Sequence, residues 1–170
     1  MEIHDIQSGK QKGAFAFLTR VGMRIGTFPY RVAIAMRNRK FDSGKAQIQH
    51  AGVPVVCIGN LTTGGTGKTP IVCHLAGWLR DQGIRVSIIS RGYRGDSSGV
   101  NDEAKELADR LPDVPHVQDA DRVQAAAIAV DELETEFILM DDGFQHRRLH
   151  RDLDVVVIDS TNPFGHGYLL

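Results

Sequence analysis

The sequence predicts an α/β fold in which a parallel β-sheet is flanked by helices. Short runs of apolar, often β-branched residues alternate along the chain with stretches of helical periodicity. The runs, such as VPVVCIG at residues 53–59, are apolar at every position, which is typical of strands buried on both faces. Strands that alternate with helices in this way favour parallel pairing. We predict this α/β domain over residues 46–170, preceded by an amphipathic, basic helical segment over residues 1–45.

The elements of the α/β domain follow one another in a regular order. A helix can begin at Pro70, because proline is tolerated in the first turn, where the amide has no intrahelical partner. A later helix begins with Asp121 at or near its N-cap. The predicted strands are 53–59, 85–90, 114–117, 137–140 and 154–158, and the predicted helices are 70–83, 103–110 and 121–134.

Composition and charge exclude several classes of protein. Of the 170 residues, 42% are hydrophobic and 24% are charged, as in soluble globular domains. A net charge of −1 argues against a general nucleic-acid binder. Two cysteines are too few for a disulfide scaffold or a four-cysteine zinc site. We expect Cys57 and Cys73, which lie in apolar surroundings, to be buried thiols of a cytosolic protein.

The charge is distributed unevenly along the chain. Residues 10–41 contain eight Lys and Arg and no acidic residue. Arginines interrupt the apolar residues of 13–36, so no apolar run reaches the roughly 18 residues that a membrane-spanning helix needs. The pattern predicts an amphipathic helix that is broken near Pro29. Such a segment can lie in a membrane interface with its arginines at anionic headgroups, or pack on the body of the protein, and the sequence leaves both open.

A glycine-rich loop separates the first strand of the domain from its first helix. Residues 59–70 read GNLTTGGTGKTP, and the glycines allow a tight turn that points several amide hydrogens into one concavity. Lys68 can reach the β- and γ-phosphates of a nucleotide, and the Thr69 hydroxyl can join a Mg²⁺ shell. The sequence therefore predicts a P-loop NTPase-like sheet. The predicted nucleotide-binding residues are Thr62, Thr63, Gly64, Gly65, Thr66, Gly67, Lys68 and Thr69.

The loop departs from the usual GxxxxGK[ST] pattern, because Thr62 stands at the position of the first glycine. The form GGTGKT is similar to the loops of a P-loop subgroup that includes ParA-type ATPases. That subgroup often has a lysine just before the double glycine, where this chain has Thr63. An ATPase that relies on this lysine is therefore not supported.

A phosphate loop needs an acid at the end of a neighbouring strand to hold the metal. Asp141 and Asp142 follow the apolar run FILM, and Asp159 follows the run DVVVI. We favour Asp141 and Asp142, because two adjacent carboxylates at a strand end serve more than solubility. Asp141 and Thr69 are the predicted metal ligands.

Further polar residues follow the second strand and begin the next helix. Ser90, Arg91 and Tyr93 are expected to face the site, since ligands of open α/β sheets bind beyond the carboxyl ends of strands. Asp102 or Glu103 could take the proton of an acceptor hydroxyl. On spacing alone, an acid at a helix N-terminus is the simpler interpretation.

The loop DDGFQHRRLHRD places two histidines and three arginines within residues 146–151. A basic patch for a phosphorylated substrate and charge balance for the acidic strand end are equally compatible with this pattern. Two histidines four residues apart can bind a metal on a helix, but no third ligand is evident, so we do not expect a zinc site.

Taken together, these motifs resemble the tetraacyldisaccharide 4'-kinase family, the lipid A 4'-kinases of Gram-negative bacteria. The resemblance runs from about residue 13 to the last residue, and DDGFQHRRLHRD is its most specific part. The strings that carry it are GNLTTGGTGKTP, SRGYRG, NDE, DDGFQHRRLHRDLDVVVID and NPFGHGYLL.

The resemblance implies transfer of the ATP γ-phosphate, with Mg²⁺, to the 4'-hydroxyl of a tetraacylated disaccharide 1-phosphate. It places this reaction at the anionic inner face of the inner membrane and implies that the N-terminal segment associates with the membrane. The implied residues are Lys68 and Thr69 for nucleotide and metal, Asp141 and Asp142 for the metal end, Asp102 as catalytic base with Glu103 beside it, and Arg122, Gln145 and His146 as lining of the site.

Two departures from the family pattern bear on activity. The family usually has Gly-Asp-Glu-Pro where this chain has residues 101–104, Asn-Asp-Glu-Ala. Family members also continue beyond the position of Leu170 with a second lobe, which includes a histidine thought to pair with the catalytic aspartate. We therefore expect an incomplete, poorly active enzyme domain. A different P-loop ATPase and a non-catalytic nucleotide-binding remnant are the alternatives.

Overall fold

The computed structural model describes residues 14–61, 67–92 and 102–161. Over these ranges the chain forms two compact units. One contains the first helix, as far as Ala46, together with Thr161, and the other runs from Gln47 to Ser160. The elements in chain order are α1 (Ala14–Asp42), β1 (Val55–Asn60), α2 (Lys68–Asp81), β2 (Val86–Ser90), α3 (Asp102–Arg110), β3 (His116–Gln118), α4 (Arg122–Asp131), β4 (Phe137–Asp141) and β5 (Leu153–Val157).

The five strands form one parallel sheet in the order β3-β2-β4-β1-β5, which confirms the predicted fold class. The first strand, β1, lies between β4 and β5, and its Ile58 is aligned with Asp141 at the end of β4. Among the described strands β5 is an edge strand, and its Leu153 and Val156 are exposed. Because parallel strands end at the same side of a sheet, the loops after β1, β2 and β4 start close together.

Helices cover both faces of the sheet. On one face, α2 and α3 pack against residues that include Ile58 and Leu139. On the other face, α4 packs against Cys57 and Met140. Successive residues of β1 and β4 thus serve two different cores, which is why these strands are apolar at every position. Cys57 and Cys73 are buried free thiols, as predicted, and burial raises the pKa of Cys57 to about 12.

The element boundaries differ from the predicted ones by a few residues. The helix α2 begins at Lys68, so Pro70 is its third residue and lies in the first turn. Asp121 is the N-cap of α4, as predicted, and its side chain accepts a hydrogen bond from Val123 N (3.1 Å). That helix ends at Asp131 rather than Glu134, which has a positive φ of 50°.

The first helix, α1, runs without interruption from Ala14 to Asp42, so the predicted break near Pro29 is wrong. Proline removes one backbone donor and crowds the preceding turn. Pro29 is exposed, however, and the helix continues for thirteen residues beyond it, to Asp42. The helix ends where predicted, before Gly44, which has a φ of 69°. Among the helices of the described residues, none combines the length and the apolar character that crossing a membrane requires.

Candidate active site

Lys68 stands at the first position of α2, beside the carboxyl ends of β1 and β4. The residue before it, Gly67, is the N-cap and has a φ of 79°, a backbone conformation that glycine adopts without strain. Lys68 Nζ donates to Asn60 Oδ1 (2.9 Å) and lies 3.9 Å from Asp142 Oδ1. Its side chain is only 18% exposed. The structure thus holds one partly desolvated cation at a helix N-terminus, the arrangement that binds nucleotide phosphates.

The two predicted acids differ in environment. Asp141 is the last residue of β4 and is 5% exposed, whereas the side chain of Asp142 is 69% exposed. Asp142 N donates to Ile58 O of β1 (2.9 Å), and its φ of 51° turns the chain away from the sheet. The buried carboxylate of Asp141 and the hydroxyl of Thr69 are hard oxygen donors of the type that Mg²⁺ prefers, so these residues fit that metal.

No group of three or more His, Cys, Asp or Glu that could hold a metal occurs among the described residues. Of the two histidines in the loop after β4, His146 and His150, the second contacts other side chains. The ring of His150 stacks on His50, with centroids 4.1 Å apart, and its Nε2 lies 3.7 Å from Asp152 Oδ1. A magnesium ion differs from zinc here because it keeps several waters and binds substrate phosphates with few protein ligands.

The segment after Asp142 is fitted closely onto the sheet. A Cβ on Gly143 would clash with the side chain of Met140, and a Cβ on Gly59 would lie 2.7 Å from Phe144 Cε2. The amide of His146 donates to Gly143 O (2.9 Å) and closes a turn. These close approaches fix where the chain carries Gln145, which is exposed, and His146, which is half-buried. The sequence pattern did not predict the close contact between Gly59 and Phe144.

Arg122, at the start of α4, is a buried cation. It is 1% exposed, and its Nη1 donates to Asp119 O (2.5 Å). Its Nε and Nη2 are buried without a hydrogen-bond partner among the residues that the structure describes. Burial, and then the nearby Arg91 cation, lower the pKa of Arg122, while the Asp142 and Asp141 carboxylates act in the opposite direction. A buried guanidinium with two unused donors is suited to an anionic ligand.

Two arginines of the loop after β4, Arg148 and Arg151, make ion pairs. Arg148 Nη1 lies 2.9 Å from Asp121 Oδ2. The Val123 amide, and then the Arg148 guanidinium, hold the pKa of Asp121 below its ordinary value. Arg151 pairs in the same way with Asp154 of β5 (2.8 Å). For these two arginines the geometry favours charge balance over a patch for a phosphorylated substrate.

The end of β2 approaches the site from the other side of β4. Ser90 Oγ is hydrogen-bonded to His116 Nε2 (2.7 Å), so its hydroxyl is engaged by β3. Arg91 is exposed and lies close enough to act on the pKa of Arg122. The backbone of Asp102 begins α3, as an acid at a helix N-terminus would.

Several predicted site residues lie outside the described part of the chain. They are Thr62, Thr63, Gly64, Gly65 and Thr66 of the phosphate loop, Tyr93, and the side chains of Asp102 and Glu103. Of the predicted residues that are described, Lys68, Asp141, Asp142 and Arg122 come together at the ends of β1 and β4. Asn60, which orients Lys68, belongs to the glycine-rich string, but sequence reasoning assigned it no role.

A parallel sheet with a lysine at the helix after one strand and an acid at the end of the neighbouring strand defines a P-loop nucleotide-binding domain. Within that class, the family model of tetraacyldisaccharide-1-P 4'-kinase matches residues 21–170. The chain therefore belongs to the tetraacyldisaccharide 4'-kinase family.

Individual relatives agree with this assignment. The chain is 41% identical over 177 residues to the tetraacyldisaccharide 4'-kinase of Anaeromyxobacter dehalogenans strain 2CP-C, covering 95% of this chain and 47% of that protein. It is 36% identical over 182 residues to the Geobacter sulfurreducens enzyme, covering 97% and 52%. A crystal structure of LpxK from Aquifex aeolicus in complex with ATP superposes with a TM-score of 0.71 at 36% identity, covering 81% of this chain and 48% of that one. The chain spans about half the length of the curated relatives it matches.

Proposed function

We propose that the chain is the nucleotide-binding part of a kinase that transfers the γ-phosphate of ATP to the 4'-hydroxyl of a tetraacyldisaccharide 1-phosphate in lipid A biosynthesis. The observation that carries the proposal is the position of Lys68 Nζ, within 2.9 Å of Asn60 Oδ1 and 3.9 Å of Asp142 Oδ1, where Asp142 directly follows the buried Asp141. Family membership supplies the reaction, and this cluster supplies the groups that such a reaction needs at the phosphates.

The nucleotide end of the site consists of the phosphate loop, Thr62 to Thr69, and the helix α2. Lys68 neutralises charge on the β- and γ-phosphates, and its low exposure strengthens the interaction because less water competes for it. Thr69 and Asp141 would hold Mg²⁺, which supplies charge neutralisation at the transferring phosphoryl group. Asp142 orients Lys68 from the solvent side.

The acceptor end of the site lies toward β2 and α4. Asp102, with Glu103 beside it, accepts the proton of the attacking 4'-hydroxyl. Arg122 offers buried donors to phosphate oxygens, and it gains energy from a bound anion because its charge is otherwise poorly solvated. The remaining substrate-binding residues of this proposal are Arg91, Tyr93, Gln145 and His146.

The lipid acceptor requires access to a membrane surface, and α1 supports such contact. Phe28 is 71% exposed and Met36 is 59% exposed, on a helix that also carries Arg31 and Arg37. Apolar residues that enter the headgroup region together with basic residues are typical of interfacial helices. We therefore place the protein at the anionic cytoplasmic face of the inner membrane, with residues 1–45 as the membrane-associating segment and residues 46–170 as the nucleotide-binding domain.

The same cluster also supports a second candidate function, nucleotide binding without turnover. Lys68 at the N-terminus of α2 and the acids at the end of β4 are suited to bind phosphates and a metal whether or not a phosphoryl group is transferred.

An assay of ADP formation separates the candidates. We would measure it with Mg-ATP alone and with added tetraacyldisaccharide 1-phosphate in detergent. The same assay is run on a chimera in which the C-terminal half of the Anaeromyxobacter relative follows residue 170. ADP formation that requires the lipid supports the kinase. ATP binding without ADP formation in both proteins supports the second candidate, and lipid-independent ADP formation contradicts both.

A further inference from the structure

Arg151, in the DDGFQHRRLHRD loop, directs one edge of its guanidinium at the backbone of the loop itself. Its Nη1 lies 3.4 Å from Gly143 O, 3.4 Å from Phe144 O and 3.5 Å from His146 O. Each of these hydrogen bonds is long, and none would count for much alone. Together they surround one cationic nitrogen with the negative ends of three carbonyl dipoles, in a side chain that is 17% exposed.

The other edge of the same guanidinium is anchored on the sheet. Arg151 Nε lies 2.8 Å from Asp154 Oδ1, and Nη2 donates to Asp154 Oδ2 (3.1 Å). The Nη2 hydrogen bond and the close ion pair with the same carboxylate orient the planar group, although Nε itself has no hydrogen-bond partner among the described residues. Asp154 belongs to β5 and is aligned with Cys57 of β1, so the anchor is part of the sheet.

The segment that Arg151 holds begins directly after the metal-binding acids. Gly143 follows Asp141 and Asp142, and the segment ends at His146. The turn bond from His146 N ends on Gly143 O, the same oxygen that faces Arg151 Nη1. Loss of the guanidinium would remove its contacts with the three carbonyls of the turn, while the contact of Phe144 with Gly59 would remain.

We propose that Arg151 is a positioning residue that holds the segment Gly143–His146 against the sheet and thereby orients the acids before it and Gln145 and His146 within it. The inference rests on the proposed function for its consequence in phosphoryl transfer, and on geometry alone for the position of the segment.

The test compares Arg151→Gln, Arg151→Lys and Asp154→Asn with the wild-type chain. The matched control is Arg85→Gln, because Arg85 also donates to a backbone carbonyl, Glu134 O, and pairs with carboxylates away from the site. The first readout is amide hydrogen exchange, with His146 N–H reporting the turn and Leu139 N–H reporting the core strand β4. The second is the factor by which Mg²⁺ tightens ATP binding, measured by calorimetry with and without the ion.

The proposal expects exchange at His146 to rise roughly 10-fold or more in Arg151→Gln and in Asp154→Asn, with Leu139 unchanged. Arg151→Lys, which keeps the charge but loses the fork, should restore part of the protection. In the two strong variants Mg²⁺ should tighten ATP binding less, while ATP affinity without Mg²⁺ stays the same. The control variant should match the wild type in every measurement.

Unchanged exchange at His146 would overturn the proposal, and so would an equal rise at His146 and Leu139, which would make Arg151 a general stabiliser of the fold. An unaltered effect of Mg²⁺ despite faster exchange would overturn its link to the acids. A wild-type chain that binds no ATP would contradict the proposed function instead, and the exchange result would then decide the position of the segment by itself.

Discussion

The ring of Phe144 occupies the space that a side chain at position 59 would need. A Cβ on Gly59 would come within 2.7–2.9 Å of three ring atoms. Gly59 belongs to the strand that enters the glycine-rich loop, and Phe144 to the segment that follows Asp141 and Asp142, the proposed metal-binding acids. The contact therefore joins the two halves of the nucleotide end of the site, and it exists only because residue 59 is glycine.

Gly59→Ala should destabilise the protein and weaken Mg-ATP binding together. The ring of Phe144 is packed partly against the core on the α4 face, so it can move only by shifting the segment that carries it. Overpacking of this kind costs about 1–3 kcal/mol. The control is Gly77→Ala in α2, where the nearest side-chain atom lies 3.8 Å away and helix propensity predicts a gain of about 0.5–1 kcal/mol. Thermal unfolding and calorimetry measure both effects, and equal behaviour of the two variants would contradict the contact.

Lys68→Ala should weaken ATP binding without unfolding the protein. A charge-assisted hydrogen bond contributes about 1.5–3 kcal/mol, which corresponds to roughly 10- to 100-fold in the dissociation constant. Lys105→Ala, which removes an exposed lysine of α3, is the control and should bind ATP as the wild type does. If calorimetric titrations give the same affinity for both variants, Lys68 is not the phosphate ligand.

Arg122→Met should separate stability from binding. The substitution removes a buried charge whose Nε and Nη2 have no partner among the described residues. Replacing buried charges by apolar groups of similar volume is often neutral or stabilising, so the melting temperature should stay the same or rise. Affinity for the tetraacyldisaccharide 1-phosphate should fall by roughly 10-fold or more. Arg110→Met, at an exposed ion pair with Glu106, is the control for general effects of losing an arginine. A large fall in melting temperature would show that Arg122 serves the fold instead.

Stability should depend on pH through His116. Burial lowers the pKa of His116 from its ordinary value of 6.5, and its Nε2 is hydrogen-bonded to Ser90 Oγ. As the pH falls below that value, the unfolded chain takes up a proton that the folded chain does not, so the free energy of unfolding decreases. The contribution is complete above this pH and is lost as the pH falls toward the lowered pKa. His116→Gln should therefore lose less stability between about pH 7.5 and pH 5 than the wild type. Denaturant unfolding at several pH values measures this, with exposed His74→Gln as control; parallel curves for His116→Gln and wild type would refute it.

Binding to vesicles should depend on lipid charge through α1. Near an anionic surface each Lys or Arg contributes about 1 kcal/mol, so the double variant Arg31→Gln/Arg37→Gln should bind roughly 30-fold more weakly. The double variant Lys105→Gln/Arg110→Gln removes the same charge from α3 and should bind as the wild type does. Sedimentation with phosphatidylglycerol and phosphatidylcholine vesicles at two salt concentrations provides the measurement. Binding that is indifferent to lipid charge would favour a helix that packs on protein.

The order of strands and helices was predictable because local patterns determine it. VPVVCIG and FILM are apolar throughout since each strand faces two cores, and Asp121 occupies the N-cap because its carboxylate satisfies the Val123 amide. Pro29 shows the limit of such patterns. A proline lowers the stability of a helix locally, but whether the helix continues depends on the rest of its backbone hydrogen bonds.

The residue types of the candidate site were predictable from the sequence, whereas the contacts that hold those residues in place were not. Lys68 lies in a glycine-rich loop and Asp141 follows an apolar strand, and these sequence patterns indicated a phosphate-binding lysine and a metal-binding acid. Three supporting contacts depend on which loops lie side by side in space. They are the burial of Arg122, the contact of Phe144 with Gly59 and the pairing of Arg151 with Asp154. Such contacts join elements that are distant in sequence or differ in face, and no local periodicity reports them.

Among the residues that the structure describes, β5 has no strand paired to its outer side. An unpaired strand edge is a template on which another chain can add a strand. Leu153, Val156 and Ile158 are 56%, 42% and 54% exposed, so this edge also presents apolar surface that another chain could bury. Asp152 and Asp154 flank Leu153, but the Asp152 carboxylate accepts from Val55 N and the Asp154 carboxylate pairs with Arg151, which reduces the repulsion they offer to an approaching strand. Self-association through β5 should therefore grow with protein concentration and with the salt that screens these remaining charges.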